Sequence, residues 1–307
     1  MDNQPKPKFV QFIHPGGEHI VKDGNIKQWN DEPHRRKFME VEGTYCENGD
    51  PIDSTLHFWG EWEPQSDVTN ISKPIVDGPT CIHHPFWIRQ NRYAGLQNTD
   101  PFVFGNQFQY AICQQHKNGR ATFLRDLDRG SVILFGSCKS KTQFVIDTVF
   151  VVRSWIDGYN RDNFATRVAP YIDQTYSTVT FGPLFGIDLG DTCPKRNCVS
   201  SAKDQAAAEM KDSTFRLYFG ATLNDDVDGM FSFFPCLDRD TSGSGFARPV
   251  IEIGGLITNT LMQGKKGNGD VTANGATMKD RWNEVVRQVE QRGLKLGIFA
   301  RIPDLRI

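Results

Sequence analysis

The chain has almost no net charge: 35 Lys+Arg stand against 37 Asp+Glu over 307 residues. A strongly basic average, the usual footprint of non-specific nucleic-acid binding, is therefore missing. Only local patches remain, such as HRRK at 34–37 and CKSKTQ at 138–143, and short basic clusters of this kind are ordinarily solvated surface. No uninterrupted apolar run approaches the roughly 20 residues a membrane helix needs. The first residues, MDNQPKPK, are too polar and proline-bearing for a signal peptide. Cysteine is sparse and odd in number, seven in all, in a chain long enough to bury a core without staples. These absences predict a cytoplasmic protein with reduced thiols and no membrane partner.

The short motifs that name a chemistry are missing too. Neither G-x-x-x-x-G-K-[ST] nor G-x-G-x-x-G occurs in a strand–helix setting, and there is no G-x-S-x-G elbow and no Cys–His nucleophile signature. Cys193 and Cys198 have no second close cysteine pair, so a zinc site would have to recruit Cys81, His83 or His84 from far along the chain. Asp225, Asp226 and Asp228 crowd together as in a calcium loop but without its ligand frame. No metal and no cofactor is expected.

Aromatic side chains, by contrast, are plentiful: 22 Phe, 7 Tyr and 6 Trp, which suits a sheet-rich core. Period-two alternation, or enrichment in aromatic and β-branched residues, predicts strands over 8–13, 37–45, 54–63, 131–136, 144–152, 215–221, 230–236 and 294–302. Gly, Pro, Asn and Asp cluster between them, as turns require. One amphipathic helix is predicted near the C-terminus. Thr277 or Asp280 caps it, Trp282, Val285, Val286 and Val289 form its apolar stripe, and Gly293 ends it. A more polar helix is expected over 201–212, and Gly-rich mobile loops over 238–248 and 264–276. With no repeat and no linker, residues 1–307 read as a single large α+β domain, dominated by sheet and carrying long loops.

Several segments carry candidate site residues. In STLHFWGEWEP (54–64), strand alternation puts His57, Trp59, Glu61 and Glu63 on one face. An indole beside carboxylates suits the wall of a pocket for a flat, hydrogen-bonding ring. In the strand around 144–152, Asp147 shares its face with Val145, Val149 and Val151, where an unpaired charge is expensive. It must be hydrogen-bonded, paired with a cation or protonated, either as a structural residue or as a site carboxylate. The segment 98–115 offers Asp100 in a turn, an aromatic surface that includes Phe104, and amides, Asn106 and Gln114 among them, that can read base edges. IHPGGEH (13–19) leaves His14, Glu18 and His19 on the rim of a glycine turn that can approach a ligand. In GSGFARP (243–249), Arg248 is suited to a phosphate or a carboxylate.

At the hairpin of 130–152, GSVILFGSCKSKTQFVIDTVFVV, the sequence resembles the central strand pair of PUA-like domains of the ASCH and EVE type. FIHPGGEH, FWGEWEPQS, DPFVFG and DTVFVV taken together are similar to bacterial nucleotide-modification-associated domain proteins. The resemblance implies a PUA-like β-barrel core over about 8–160 with an elaboration over about 161–307, and a partner that is DNA, or a nucleotide, with a modified base. In that reading Trp59 stacks on the base and Glu61 accepts from its exocyclic amine. Asp147, Asp100 or Glu61 would then support hydrolysis of the N-glycosidic bond, in phage defence or modified-DNA metabolism. A non-catalytic reader would use the same pocket. A sugar- or small-ligand-binding β protein would instead use Trp59 and Trp62 as stacking platforms.

Overall fold

A computed structural model describes residues 7–13, 17–20, 26–27, 35–88, 98–117, 119–140, 143–185, 213–252 and 277–306. Its strands, in chain order, begin with β1 (Phe9–Ile13), β2 (Ile26–Lys27), β3 (Lys37–Glu47), β4 (Asp50–Gly60), β5 (Ser66–Asn70) and β6 (Cys81–Ile88). Short β7 (Gln109–Tyr110), β8 (His116–Lys117) and β9 (Arg120–Ala121) precede the long pair β10 (Val132–Cys138) and β11 (Gln143–Tyr159). The remainder are β12 (Phe215–Gly220), β13 (Phe234–Asp238), β14 (Val250–Glu252), β15 (Lys295–Ala300) and β16 (Asp304–Arg306). The fold is α+β and sheet-dominated, as expected.

Two large sheets organise the chain. The first runs β1-β10-β11-β12-β7, with β14 added on β11. Its β1 reads FVQFI without alternation because it is buried throughout, and it lies parallel to β10. The predicted hairpin of 130–152 is β10 and β11, antiparallel, with a bulge at Phe135/Gly136. The second sheet runs β15-β13-β4-β3-β6-β5-β2. Its longest pairing is the hairpin of β3 and β4, turned by Asn48-Gly49, both at positive φ (54° and 92°). That is the two-residue turn whose twist matches the strands it joins. Strand β15 hydrogen-bonds to both β13 and β3, so the pairings β3–β4–β13–β15 run round in a closed ring. Strands from after residue 160 thus complete both sheets.

The C-terminal helix, Met278–Glu290, forms where predicted. Thr277 and Asp280 make a reciprocal capping box, Trp282, Val285 and Val289 are buried, and Gly293 follows at φ 74°. Its Trp282 packs edge-on against Phe231 at 5.1 Å and donates its indole N–H to the Phe231 carbonyl. Among the described residues no helix is long and apolar enough to cross a membrane.

Several expectations are corrected. The strand predicted to run to residue 63 ends at Gly60, and Glu61–Gln65 leave the ladder. The strand placed at 230–236 lies at 234–238, because Phe233 pairs instead across to Val149 of the first sheet. Strands β5 and β6 were not anticipated. CIHHPFWI holds two histidines and a proline, which argue against a buried strand, yet it pairs with β5 on one side and β16 on the other. The segment 238–248 is tied down rather than loose: Arg239–Ser242 is a helical turn, and Phe246 and Arg248 both make buried contacts. The helix expected at 201–212 and the loop at 264–276 lie outside the described residues.

The bulge at Gly136 supplies a stability test. A Cβ there would run into the Val145 carbonyl oxygen across the hairpin, where backbone cannot give way cheaply. Gly136→Ala is expected to destabilise the protein by about 2 kcal/mol or more, as overpacked cores do. Thr277→Ala, which removes only the helix cap, should cost about 1 kcal/mol. Urea unfolding of the two variants checks the order.

Candidate functional site

The ladder of β3 against β4 pairs Phe38 with Trp59, which brings Arg36, just before β3, beside Glu61, just after β4. Across from them, β11 presents Asp147. The Asp147 carboxylate accepts from Arg36 Nε at 2.6 Å, from Arg248 Nε at 2.6 Å and from Arg248 Nη2 at 2.8 Å. Arg36 Nη1 lies 3.7 Å from Glu61 Oε2, and Arg248 also reaches Ser137 Oγ at 3.2 Å. Arg36, Glu61 and Asp147 are all at most 5% exposed. The expected predicament of Asp147 is thus answered by two cations that converge from opposite ends of the chain.

Electrostatics explain why the charges survive burial. Desolvation works against the Arg36 guanidinium, but Asp147, Glu61 and Glu63 together outweigh it and raise its pKa above the ordinary value. Arg248 has less anionic company. Burial and the neighbouring Arg36 lower its pKa, and Asp147 opposes them.

Next to this cluster Lys37, fully buried, donates to the Pro64 carbonyl at 2.6 Å. His83 is pushed down to about 2 by burial, with Lys37 adding to the fall, so it is neutral. It hydrogen-bonds Ser66 Oγ at 2.8 Å and the His19 carbonyl at 3.2 Å. The Gln65 side-chain amide is fully buried and has no hydrogen-bond partner among the described residues. A buried amide of this kind is a natural reader of a ligand's hydrogen-bonding edge.

The other predicted site residues fall in separate places. Trp59 is a core residue. It packs against Phe38 at 5.3 Å and gives its indole N–H to the Phe246 carbonyl at 2.7 Å, which removes the stacking wall expected of it. Phe104 is likewise core, edge-on to Trp62 at 5.2 Å. Asp100 is fully buried and accepts backbone N–H bonds from Ala111, Ile112 and Cys113, with the Tyr176 hydroxyl at 3.3 Å. It organises the 98–113 segment. Asn106 and Gln114 are exposed, away from any buried cluster. Glu18 accepts from the backbone N–H of Thr80 and Cys81 and from the Thr80 hydroxyl, bracing the start of β6. His19 is buried beside His83, their rings 6.4 Å apart, while His14 lies outside the described residues. Among the described residues no three His, Cys, Asp or Glu side chains come together to hold a metal ion.

The patch HRRK was expected to be solvated surface, and that is corrected: Arg36 and Lys37 are inside.

No protein-family model, no curated protein and no solved structure matches the chain.

Two outcomes follow from the geometry. Asp147→Asn leaves two buried guanidiniums without their shared carboxylate and should destabilise the protein by about 3–5 kcal/mol, measured by urea unfolding. The second concerns Asp100, which burial pushes up to about 6, with Glu61 adding to the rise against the pull of the three N–H groups. Since this lies above the unfolded value of roughly 3.9, the folded protein holds the proton more tightly. The Asp100 contribution to stability is therefore full below about pH 4 and lost as pH rises through about 6. The stability of the wild type relative to Asp100→Asn should fall by on the order of 2–3 kcal/mol between pH 4 and 7. A flat difference across that range would contradict it.

Proposed function

We propose that the chain reads a modified nucleobase, in DNA or as a nucleotide, and holds it at the cluster of Arg36, Glu61, Asp147 and Arg248 without excising it. One observation carries the reading. Asp147 stands in the second strand of the hairpin that resembles the PUA-like central pair, and it is the point on which Arg36 and Arg248 converge. Replacing such a buried ion cluster by apolar side chains is often neutral or stabilising, so stability gives little reason to keep it. Binding does, because buried charges with shifted pKa values gather where ligands are handled. Guanidiniums suit the paired oxygens of a phosphate and the acceptor edge of a purine, and Glu61 and Gln65 supply an acceptor and an amide. A setting in phage defence or modified-DNA metabolism rests on the resemblance alone.

Reading is favoured over excision by the state of the carboxylates. Asp147 accepts three guanidinium hydrogen bonds, and oxygens held by cations are poorly placed to take a proton from water. Asp100 is fully buried, and its oxygens are spent on the backbone N–H groups of Ala111, Ile112 and Cys113. The sugar-binding alternative needs the rings of Trp59 and Trp62 as stacking platforms, and these pack against Phe38 and Phe104 instead.

The test is a binding series followed by calorimetry. Duplex and single-stranded oligonucleotides carrying hydroxymethylated, glucosylated or ordinary cytosine are compared with the free nucleotides and with monosaccharides. A preference of at least tenfold for one modified form is expected, with no abasic sites after prolonged incubation. Arg248→Lys, which keeps the charge but loses the two-point geometry, should weaken binding about tenfold. Equal affinity for modified and ordinary bases, or binding of sugars alone, rejects the reading. Abasic sites would replace the reader with an excising enzyme.

A further inference from the structure

A second polar chain lies on the same face of β3 and β4, apart from the arginine cluster, and it has the parts of a nucleophilic site. His57 of β4 is cross-strand partner to Glu40 of β3, and its Nε2 lies 2.8 Å from Glu40 Oε2. Its Nδ1 is hydrogen-bonded to Ser242 Oγ, at the end of the Arg239–Ser242 turn. A carboxylate can only accept, so the proton of the neutral imidazole sits on Nε2. Nδ1 is then left as a lone pair facing the serine hydroxyl. Phe38 holds the imidazole from the side, its ring 5.3 Å away at 63°.

We propose that Ser242, His57 and Glu40 form an acyl-transfer triad, with Ser242 as nucleophile, His57 as base and Glu40 as the positioning residue, acting on a small ester. Such triads are recognised by geometry and roles rather than by order along the chain. Here the two imidazole nitrogens exchange the roles they have in the serine proteases, which leaves the chemistry unchanged. The Ser242 oxygen attacks the ester carbonyl as its proton passes to His57 Nδ1. The carbon–oxygen bond to the leaving alkoxide breaks, and His57 returns the proton to that alkoxide as it departs as an alcohol. Water then attacks the acyl-serine, gives a proton to His57, and releases the acid while Ser242 recovers its hydrogen.

Further observations bear on the assignment. Ser242 is followed by Gly243 at φ 53°, and a Cβ built on Gly243 would meet no atom within 4 Å, so the chain beside the nucleophile leaves room for a substrate. Glu40 is itself held on its other oxygen by His84 Nδ1 at 3.4 Å, and His84 Nε2 is 3.1 Å from Thr69 Oγ1. The Ser242 hydroxyl has one alternative acceptor, the Arg239 carbonyl at 3.2 Å, to which it can turn when His57 is protonated. Ser242 is only 5% exposed, which restricts the substrate to a small acyl group.

A fluorophosphonate probe tests this directly on the intact protein. Attack forms the Ser242 oxygen–phosphorus bond, breaks phosphorus–fluorine and releases fluoride, with the serine proton passing to His57. The expected result is one label per chain, mapped to Ser242 by peptide mass spectrometry, and turnover of p-nitrophenyl acetate but not of long-chain esters. Ser242→Ala should abolish labelling, and His57→Asn should slow it at least a hundredfold. Glu40→Gln should slow it about tenfold, with Glu40→Asp recovering part of the rate, a rescue that a merely structural contact would not produce. Should Ser242→Ala misfold by circular dichroism, Ser242→Cys replaces it, and iodoacetamide should alkylate that thiol at a rate that depends on His57. No label on the wild type, a label at another serine, or labelling indifferent to His57 overturns the proposal.

Discussion

A carboxylate in the middle of a valine face has to be neutralised by something, and in this chain that requirement dictates how distant segments meet. Asp147 is buried on β11 in the first sheet, Arg36 precedes β3 in the second, and Arg248 lies in the connection between β13 and β14. An unpaired charge at that depth costs several kcal/mol, a large part of a typical domain's stability margin. The two guanidiniums meet that cost, and each ties a further element to β11. Arg36 sets the start of the β3–β4 hairpin against β11. Arg248 brings the strap of 238–250 across from one sheet to the other, where Val250 then pairs with Val145.

The strap explains how a Gly- and Ser-rich stretch can be ordered. Composition alone argues for mobility in DRDTSGSGFAR, because nothing in it looks like a strand or a helix. What holds it is a series of single anchors: Asp238 capping its turn, Ser242 on His57, the Phe246 carbonyl on the Trp59 indole, and Arg248 on Asp147. Between them the glycines supply the conformations that side chains would resist, Gly243 and Gly245 both lying at positive φ. Apart from the Asp238 cap, none of these partners is near in sequence, so local pattern could not reveal them.

The same distinction separates what was legible from what was not. Strands β3, β4, β10, β11 and β12 and the C-terminal helix announce themselves because their signal is periodic and their caps and turns are local, as with Thr277 and Gly293. Strand β6 was hidden by its His83-His84-Pro85 centre, whose side chains are explained only by Ser66, Glu40 and the His19 carbonyl. At the site, Asp147 could be singled out from its valine neighbours, and Arg248 from the glycine loop that carries it. That they bind each other could not be read. Arg36 and Lys37 were lost within a basic run, since the charge of a residue says nothing of its depth until the opposing carboxylates are located.

The oddity of an indole set between a histidine and two carboxylates on one strand has a physical answer in the packing. Three segments lie side by side, and each contributes the same sequence of polar, aromatic and polar residues. From β3 and the residue before it come Glu40, Phe38 and Arg36; from β4 and the residue after it, His57, Trp59 and Glu61; from the strap, Ser242, Phe246 and Arg248. Phe38 touches both Trp59 and Phe246 with ring centres 5.3 Å apart in each case, so the middle row is an aromatic wedge. On one side of it lies the serine–histidine–glutamate chain and on the other the arginine–carboxylate cluster. Charges interact strongly across a low-dielectric interior, and without the wedge Glu40 would compete with Asp147 and Glu61 for the same guanidiniums. Trp59 is therefore a partition between two polar sites, and the alternation that made it resemble a pocket wall is the alternation that lets one pair of strands carry both.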